Sequence, residues 1–170
     1  GEVSSGGFHV DYGCGIRVLK GDRTGYAYSE SCEMASLMQA ARSAAGIASC
    51  GSASGKSFNA TNGLDRRENF YPMLQDWRAT DASRFVPLLQ KLDKDIRSLD
   101  TRVLKVVAML SYSTSDIMMY NSLGELTTDC RPLGNVSVTV VFRQGDQIEK
   151  NSVSRSLRMG SEMLSDAVFT

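Results

Sequence analysis

The chain has 170 residues, with 19 basic side chains against 19 acidic ones and a formal net charge of zero. Its 42% apolar content suits a soluble globular protein long enough to bury a real core. The neutral balance and the lack of a basic stripe argue against direct nucleic-acid contact. No apolar run approaches the roughly 20 residues of a membrane span. The opening Gly1-Glu2-Val3-Ser4-Ser5-Gly6-Gly7 lacks the shape of a signal peptide. Cytoplasm is therefore the default compartment, with an export signal on a missing N-terminus left open.

Apolar residues hold the even positions from Phe8 to Val18, apart from small or polar interruptions on the odd ones. This period of two predicts a strand with one buried face. Lys20-Gly21-Asp22-Arg23 supplies a turn, and Thr24 to Tyr28 returns as the second strand of an antiparallel hairpin. Ser29-Glu30-Ser31 introduces a helix over about 32–47, with Met34, Leu37, Met38, Ala41 and Ala45 on one face.

Residues 49–80 read as a long loop, Ser-, Gly- and Asn-rich to Gly63 and therefore expected to be mobile there. Its second half carries Phe70, Tyr71, Leu74 and the single Trp77. Asp81 is a plausible N-cap for a helix over about 82–99, with Pro87 either marking a later start or bending the first turn.

A meander of four or five strands follows. Arg102 to Ser113 is almost continuously apolar, which predicts a central strand covered on both faces. Asp116 to Tyr120, Leu126 to Arg131, the alternating Val136 to Phe142 and Ile148 to Ser154 complete the meander. Met159, Met163, Leu164, Ala167 and Val168 suggest a final amphipathic helix. Helices are segregated from strands, so the expected fold is α+β: one domain over 1–170, with a mostly antiparallel sheet and helices packed on it.

Chemistry is sparse. Cys50-Gly51-Ser52-Ala53-Ser54-Gly55-Lys56-Ser57 ends like a phosphate-binding loop, but its first glycine falls one residue late and it follows a helix. A flexible loop explains it better. His9 is the only histidine and has no flanking ligand motif. Cys14 lies on the apolar parity of a strand, where packing explains it better than nucleophilic reactivity. The four cysteines, at 14, 32, 50 and 130, have no zinc-type spacing and read as reduced thiols. Asp129-Cys130-Arg131-Pro132 suggests an ion pair at a sheet edge, or a domain contact. The sequons at Asn59 and Asn135 read as chance. No catalytic or metal-binding constellation is present, and the residues by themselves carry the reading to an α+β domain and no further.

Two strings go beyond this. Asp11-Tyr12-Gly13-Cys14-Gly15-Ile16-Arg17-Val18, running on to Gly21-Asp22-Arg23-Thr24-Gly25-Tyr26-Ala27-Tyr28, resembles the N-terminal domain of the TldD/PmbA family in its TldD branch. So does Leu123-Gly124-Glu125-Leu126-Thr127-Thr128-Asp129-Cys130-Arg131-Pro132-Leu133, followed by Ser137-Val138-Thr139-Val140. Order and spacing match across about 8–155, with the 49–80 loop and Pro87 as departures. Older naming calls these proteins modulators of DNA gyrase.

The resemblance implies the N-terminal part of a zinc metallopeptidase subunit. The family's H-E-x3-H metal helix would lie in a C-terminal domain absent from this chain, so no cofactor is assigned to these residues. It also implies a PmbA/TldE-like partner subunit and extended, unstructured peptide substrates. This domain would then serve assembly and shape the substrate channel. The alternative is a binding module acting on DNA gyrase or a toxin–antitoxin system without hydrolysis. The chain opens without Met and stops inside a helical pattern, so we expect a fragment of a longer protein. Its expected contact residues are Phe70, Tyr71, Leu74, Trp77, Asp129 and Arg131. The apolar face of the last helix, Met163, Leu164 and Val168, is expected to be exposed beside them.

Overall fold

The computed structural model describes residues 2–49, 64–65 and 70–165. The chain divides into two compact units, residues 5–58 and residues 59–170 with 1–4. The single domain expected from sequence thus becomes two, because the described strands form two separate sheets with no strand in common.

In the first unit, β1 (Cys14–Lys20) and β2 (Arg23–Ser29) form an antiparallel hairpin in the register Cys14↔Ser29 to Lys20↔Arg23. Gly21 turns it at φ 58°, a conformation that glycine adopts without cost. The strand is shorter than its alternation. Phe8, Val10 and Tyr12 lie before it and are exposed. Alternation sets which face a residue takes when extended, but a strand also needs a neighbour. β2 stops opposite Cys14, so its ladder offers residues 8–13 nothing to pair with.

Helix α1 (Met34–Ser49) packs on this hairpin. Ser31 Oγ accepts from the Glu33 N–H at 3.2 Å just ahead of it. The buried row is Ala40, Ala44 and Ala48, while Met34 and Met38 are exposed. The helix is therefore rotated from the expected face. Gly25 explains why: a Cβ there would sit 1.9 Å from the Ala44 carbonyl oxygen. Backbone approaches backbone, and only the alanine row fits beneath.

In the second unit, three strands form the antiparallel meander: β4 (Val103–Tyr120), β5 (Leu126–Gln144) and β6 (Gln147–Leu157). A two-residue strand, β3 (Leu64–Asp65), lies parallel to the start of β5. The strands are fewer and longer than expected. β5 runs straight through Pro132 because the β6 ladder begins only at Gly134 and β3 reaches only Thr127. A missing N–H is tolerated where no ladder bond is lost. β5 is the middle strand, and β4 flanks it with one face exposed. The expectation of β4 as a central strand covered on both faces is thus corrected.

A 3-10 turn over Ala82–Phe85, with the Asp81 carboxylate accepting from the Ser83 N–H, leads into α2 (Val86–Leu99). Pro87 falls in the first turn of α2, where the lost donor has no intrahelical partner anyway. The core joins Trp77, Phe85, Val136 and Met163, with Leu92, Leu110 and Tyr112 packed against them.

Two more expectations change. Ser161–Leu164 forms a 3-10 turn where a last amphipathic helix was expected, and residues 166–170 lie outside the described part. The long loop is interrupted by β3 and by a 3-10 turn at Trp77–Ala79. Its expected mobility over 50–63, like the phosphate-loop resemblance there, falls outside the described residues.

Candidate functional site

Of the apolar residues between Phe70 and Thr80, only Trp77 is fully buried. Trp77 is 1% exposed. Its ring stacks on Tyr112 of β4 at 4.6 Å and 10°, and meets Phe85 edge-on at 5.7 Å. Its Nε1–H donates to the Met159 carbonyl at 2.9 Å, which satisfies the one polar atom of a buried indole. Gly134 of β5 makes room for it. A Cβ there would lie 2.0 Å from Met163 Sδ and 2.6 Å from Trp77 Cζ2.

Glu162 ties the same segment to the 3-10 turn after β6. Its carboxylate accepts from the backbone N–H groups of Leu74 (3.2 Å), Gln75 (2.9 Å) and Gly160 (3.0 Å). Partial burial pushes this carboxyl up, but the backbone donors outweigh it and hold it below the usual glutamate range. Ser161 adds an Oγ–H bond to Gln75 Oε1 at 3.2 Å and donates its own N–H to the Gln75 carbonyl at 2.9 Å.

Below the aromatic cluster, Arg78 bridges two carboxylates. It donates to Asp76 through Nε and Nη2 and to Asp116 of β4 through Nη1. The Asp76 carboxyl is held low, chiefly by its hydrogen bond from Arg78. Cys130 stands opposite Asp116 in the β4–β5 register. Burial, then the neighbouring Asp116 carboxylate, push its thiol up, so Cys130 is not an activated nucleophile.

The six expected contact residues separate into three groups. Trp77 is a core anchor, which corrects its place among the exposed residues; its satisfied indole and aromatic neighbours are the reason. Met163, expected on an exposed face, is likewise 1% exposed against the same cluster. Leu164 is half-buried against it, and Val168 lies outside the described residues. Phe70 and Leu74 are 77% and 83% exposed. Tyr71 is half-buried with the Arg158 guanidinium over its ring at 5.4 Å. Asp129 and Arg131 form an ion pair at 2.6 Å on β5, as read from the sequence. Sequence reasoning missed the Glu162 clasp and the Arg78 bridge, because both join residues far apart in the chain.

No three His, Cys, Asp or Glu side chains converge as a metal site among the described residues. Cys14, Cys32 and Cys130 are free thiols. His9 is exposed, with Nε2 3.3 Å from Asp11.

The described chain is thus a hairpin-plus-helix unit and an antiparallel-sheet unit in succession. The family model described as PmbA/TldA metallopeptidase domain 1 matches residues 1–48, and the PmbA/TldA metallopeptidase central domain matches 75–168. The chain belongs to the PmbA/TldD metallopeptidase family. It is 30% identical over 171 residues to a "Metalloprotease TldD homolog" of Haemophilus influenzae, covering 99% of this chain and 35% of that protein. A protein of the same name from Buchnera aphidicola (subspecies Schizaphis graminum) is 29% identical over 163 residues, covering 88% and 30%. The chain spans about a third of the length of the curated relatives it matches.

Proposed function

We propose that these residues are a non-catalytic part of a TldD-type zinc metallopeptidase that cleaves extended, unstructured peptides. The observation that carries this reading is the ordered match of two metallopeptidase domains along one chain that spans about a third of its relatives' length. The zinc would be held by residues outside this stretch, and a PmbA/TldE-like subunit would be the partner. The domains would contribute assembly and channel shape, with exposed Phe70 and Leu74 as contact candidates. Free cysteines suit a reducing cytoplasm. No described helix is long and apolar enough to cross a membrane.

The test uses a protein of the relatives' full length and a denatured polypeptide as substrate. Cleavage should disappear on chelation and return with zinc, and the 170-residue chain should cleave nothing. Cleavage that survives chelation, or peptidase activity and one tightly bound zinc in the 170-residue chain, would overturn the reading.

A further inference from the structure

β6 (Gln147–Leu157) pairs with β5 on one edge and with no described strand on the other. From Gln147 to Ser156 it is exposed. The pair Gln144↔Gln147 closes a two-residue turn at Gly145-Asp146, with Gly145 at φ 61°. In such a hairpin the closing pair exchanges both of its backbone bonds across the ladder. Alternation then turns the N–H and C=O groups of Ile148, Lys150, Ser152, Ser154 and Ser156 away from β5. Ser152 agrees with this: its N–H donates to the side-chain Oδ1 of Asn151 at 2.8 Å.

Exposed edges in soluble proteins are usually blunted by proline, a bulge or shortness. β6 has none of these. It runs for 11 residues without proline, and its register with β5 is unbroken from Gly134↔Leu157 to Gln144↔Gln147. Its one guard is charge, and the order of the charges decides what can pair with it.

Two copies joined at this edge by a two-fold axis run antiparallel, with the axis perpendicular to the sheet. Facing residues then share one side of the sheet, and every contact occurs twice. The register centred on Ser152 overlaps the whole strand, Gln147 against Leu157. It also sets Glu149 of each copy opposite Arg155 of the other, while Lys150 meets Ser154 and Asn151 meets Val153. Neighbouring registers lose this. Centring on Asn151 sets Glu149 against Val153, and centring on Val153 sets it against Leu157. Centring on Lys150 sets that lysine against itself. Opposite charges facing across strands stabilise a pair, and like charges oppose it. Overlap and charge therefore select the same register, and this self-complementarity commits the edge to a second copy. The Arg155 guanidinium has five donors, so it can meet a carboxylate and keep its contacts within the chain.

We propose that β6 pairs with β6 of a second copy of this chain, with Ser152 on the two-fold axis, so that two sheets become one. The inference concerns association and is independent of the peptidase reading.

The experiment is amide hydrogen exchange by NMR on the 170-residue chain over a dilution series, with sedimentation velocity reading the mass of the same samples. A single strand pair is a small interface, so the series runs to about millimolar protein. Sedimentation should show a monomer–dimer equilibrium. As concentration rises, exchange should slow about tenfold at Lys150, Ser152 and Ser154. The amides of Asn151 and Val153, which already face β5, should change little.

Arg155→Glu should abolish the dimer by setting like charges face to face, and so should Glu149→Arg. Combining the two restores opposite charges and should bring the dissociation constant back to within about threefold of the parent. Ser152→Pro should also abolish the dimer, because that N–H points outward and the β5 ladder loses nothing. Unchanged amide shifts away from β6 show that a variant is folded. Where a single charge variant fails this, Ser152→Pro and the combined variant carry the test.

A monomer at every concentration would overturn the proposal. So would protection centred away from β6, a dimer that survives Arg155→Glu, or a combined variant that restores nothing. Protection of this edge only on adding a PmbA-like subunit would give it to that partner and overturn the proposal equally.

Discussion

Trp77 and Tyr112 stack face to face at 4.6 Å, and this contact joins a segment with little regular structure to the sheet. The segment Phe70–Thr80 has few other buried groups, so the stability of its placement concentrates in one ring. Trp77→Ala should cost about 3–5 kcal/mol by urea unfolding of the second unit, as expected for a buried aromatic truncated to alanine. Trp77→Phe should cost less and leave the Met159 carbonyl without its donor. A loss below about 1 kcal/mol for Trp77→Ala would show that the segment is held by other contacts.

Two glycines should respond in opposite directions. Gly134→Ala forces a methyl into Met163 and Trp77 and should destabilise by about 1–3 kcal/mol, as overpacking does. Gly46 lies in α1 with nothing within 4 Å of an added Cβ. Gly46→Ala should stabilise the helix by about 0.5–1 kcal/mol. Thermal denaturation of both variants checks the pair, and a matching sign would refute the steric account.

The Glu162 clasp makes a pH prediction. Its folded pKa lies below the ordinary value of 4.5, so the unfolded chain takes up the proton first as pH falls. The clasp's contribution is therefore complete above roughly pH 5 and is lost as pH drops through the lowered folded value. Glu162→Gln should cost about 1–2 kcal/mol at neutral pH and flatten that acid slope. Denaturation curves between acid and neutral pH decide it; a variant as acid-sensitive as the parent would remove Glu162 from the account.

Phe70 and Leu74 are exposed, so replacing both with serine should leave stability within about 0.5 kcal/mol. If the proposed assembly holds, the same double variant should weaken association of a protein of the relatives' full length with a PmbA-like subunit. Normal assembly measured by sedimentation would clear these two residues of any contact role.

The sequence by itself determined the opening hairpin with its turn at Gly21, the two helices near 32–47 and 82–99, the α+β class and the Asp129–Arg131 pair. These depend on near neighbours: a period of two, a turn glycine, two charges on one strand face. The two family strings were legible for the same reason, as local runs of unusual residues. Tertiary structure decided what distance in the chain conceals. Trp77 and Met163 look like surface anchors in sequence and become core, because Gly134 of a distant strand leaves space for both. The face of α1 turned from Met34 and Met38 to Ala40, Ala44 and Ala48 because Gly25 admits backbone at close range. The serines at 111, 113, 137, 152, 154 and 156 show their period of two in sequence, but only the register of three strands makes them one surface. Alternation assigns a side chain to a face; only pairing shows which faces coincide.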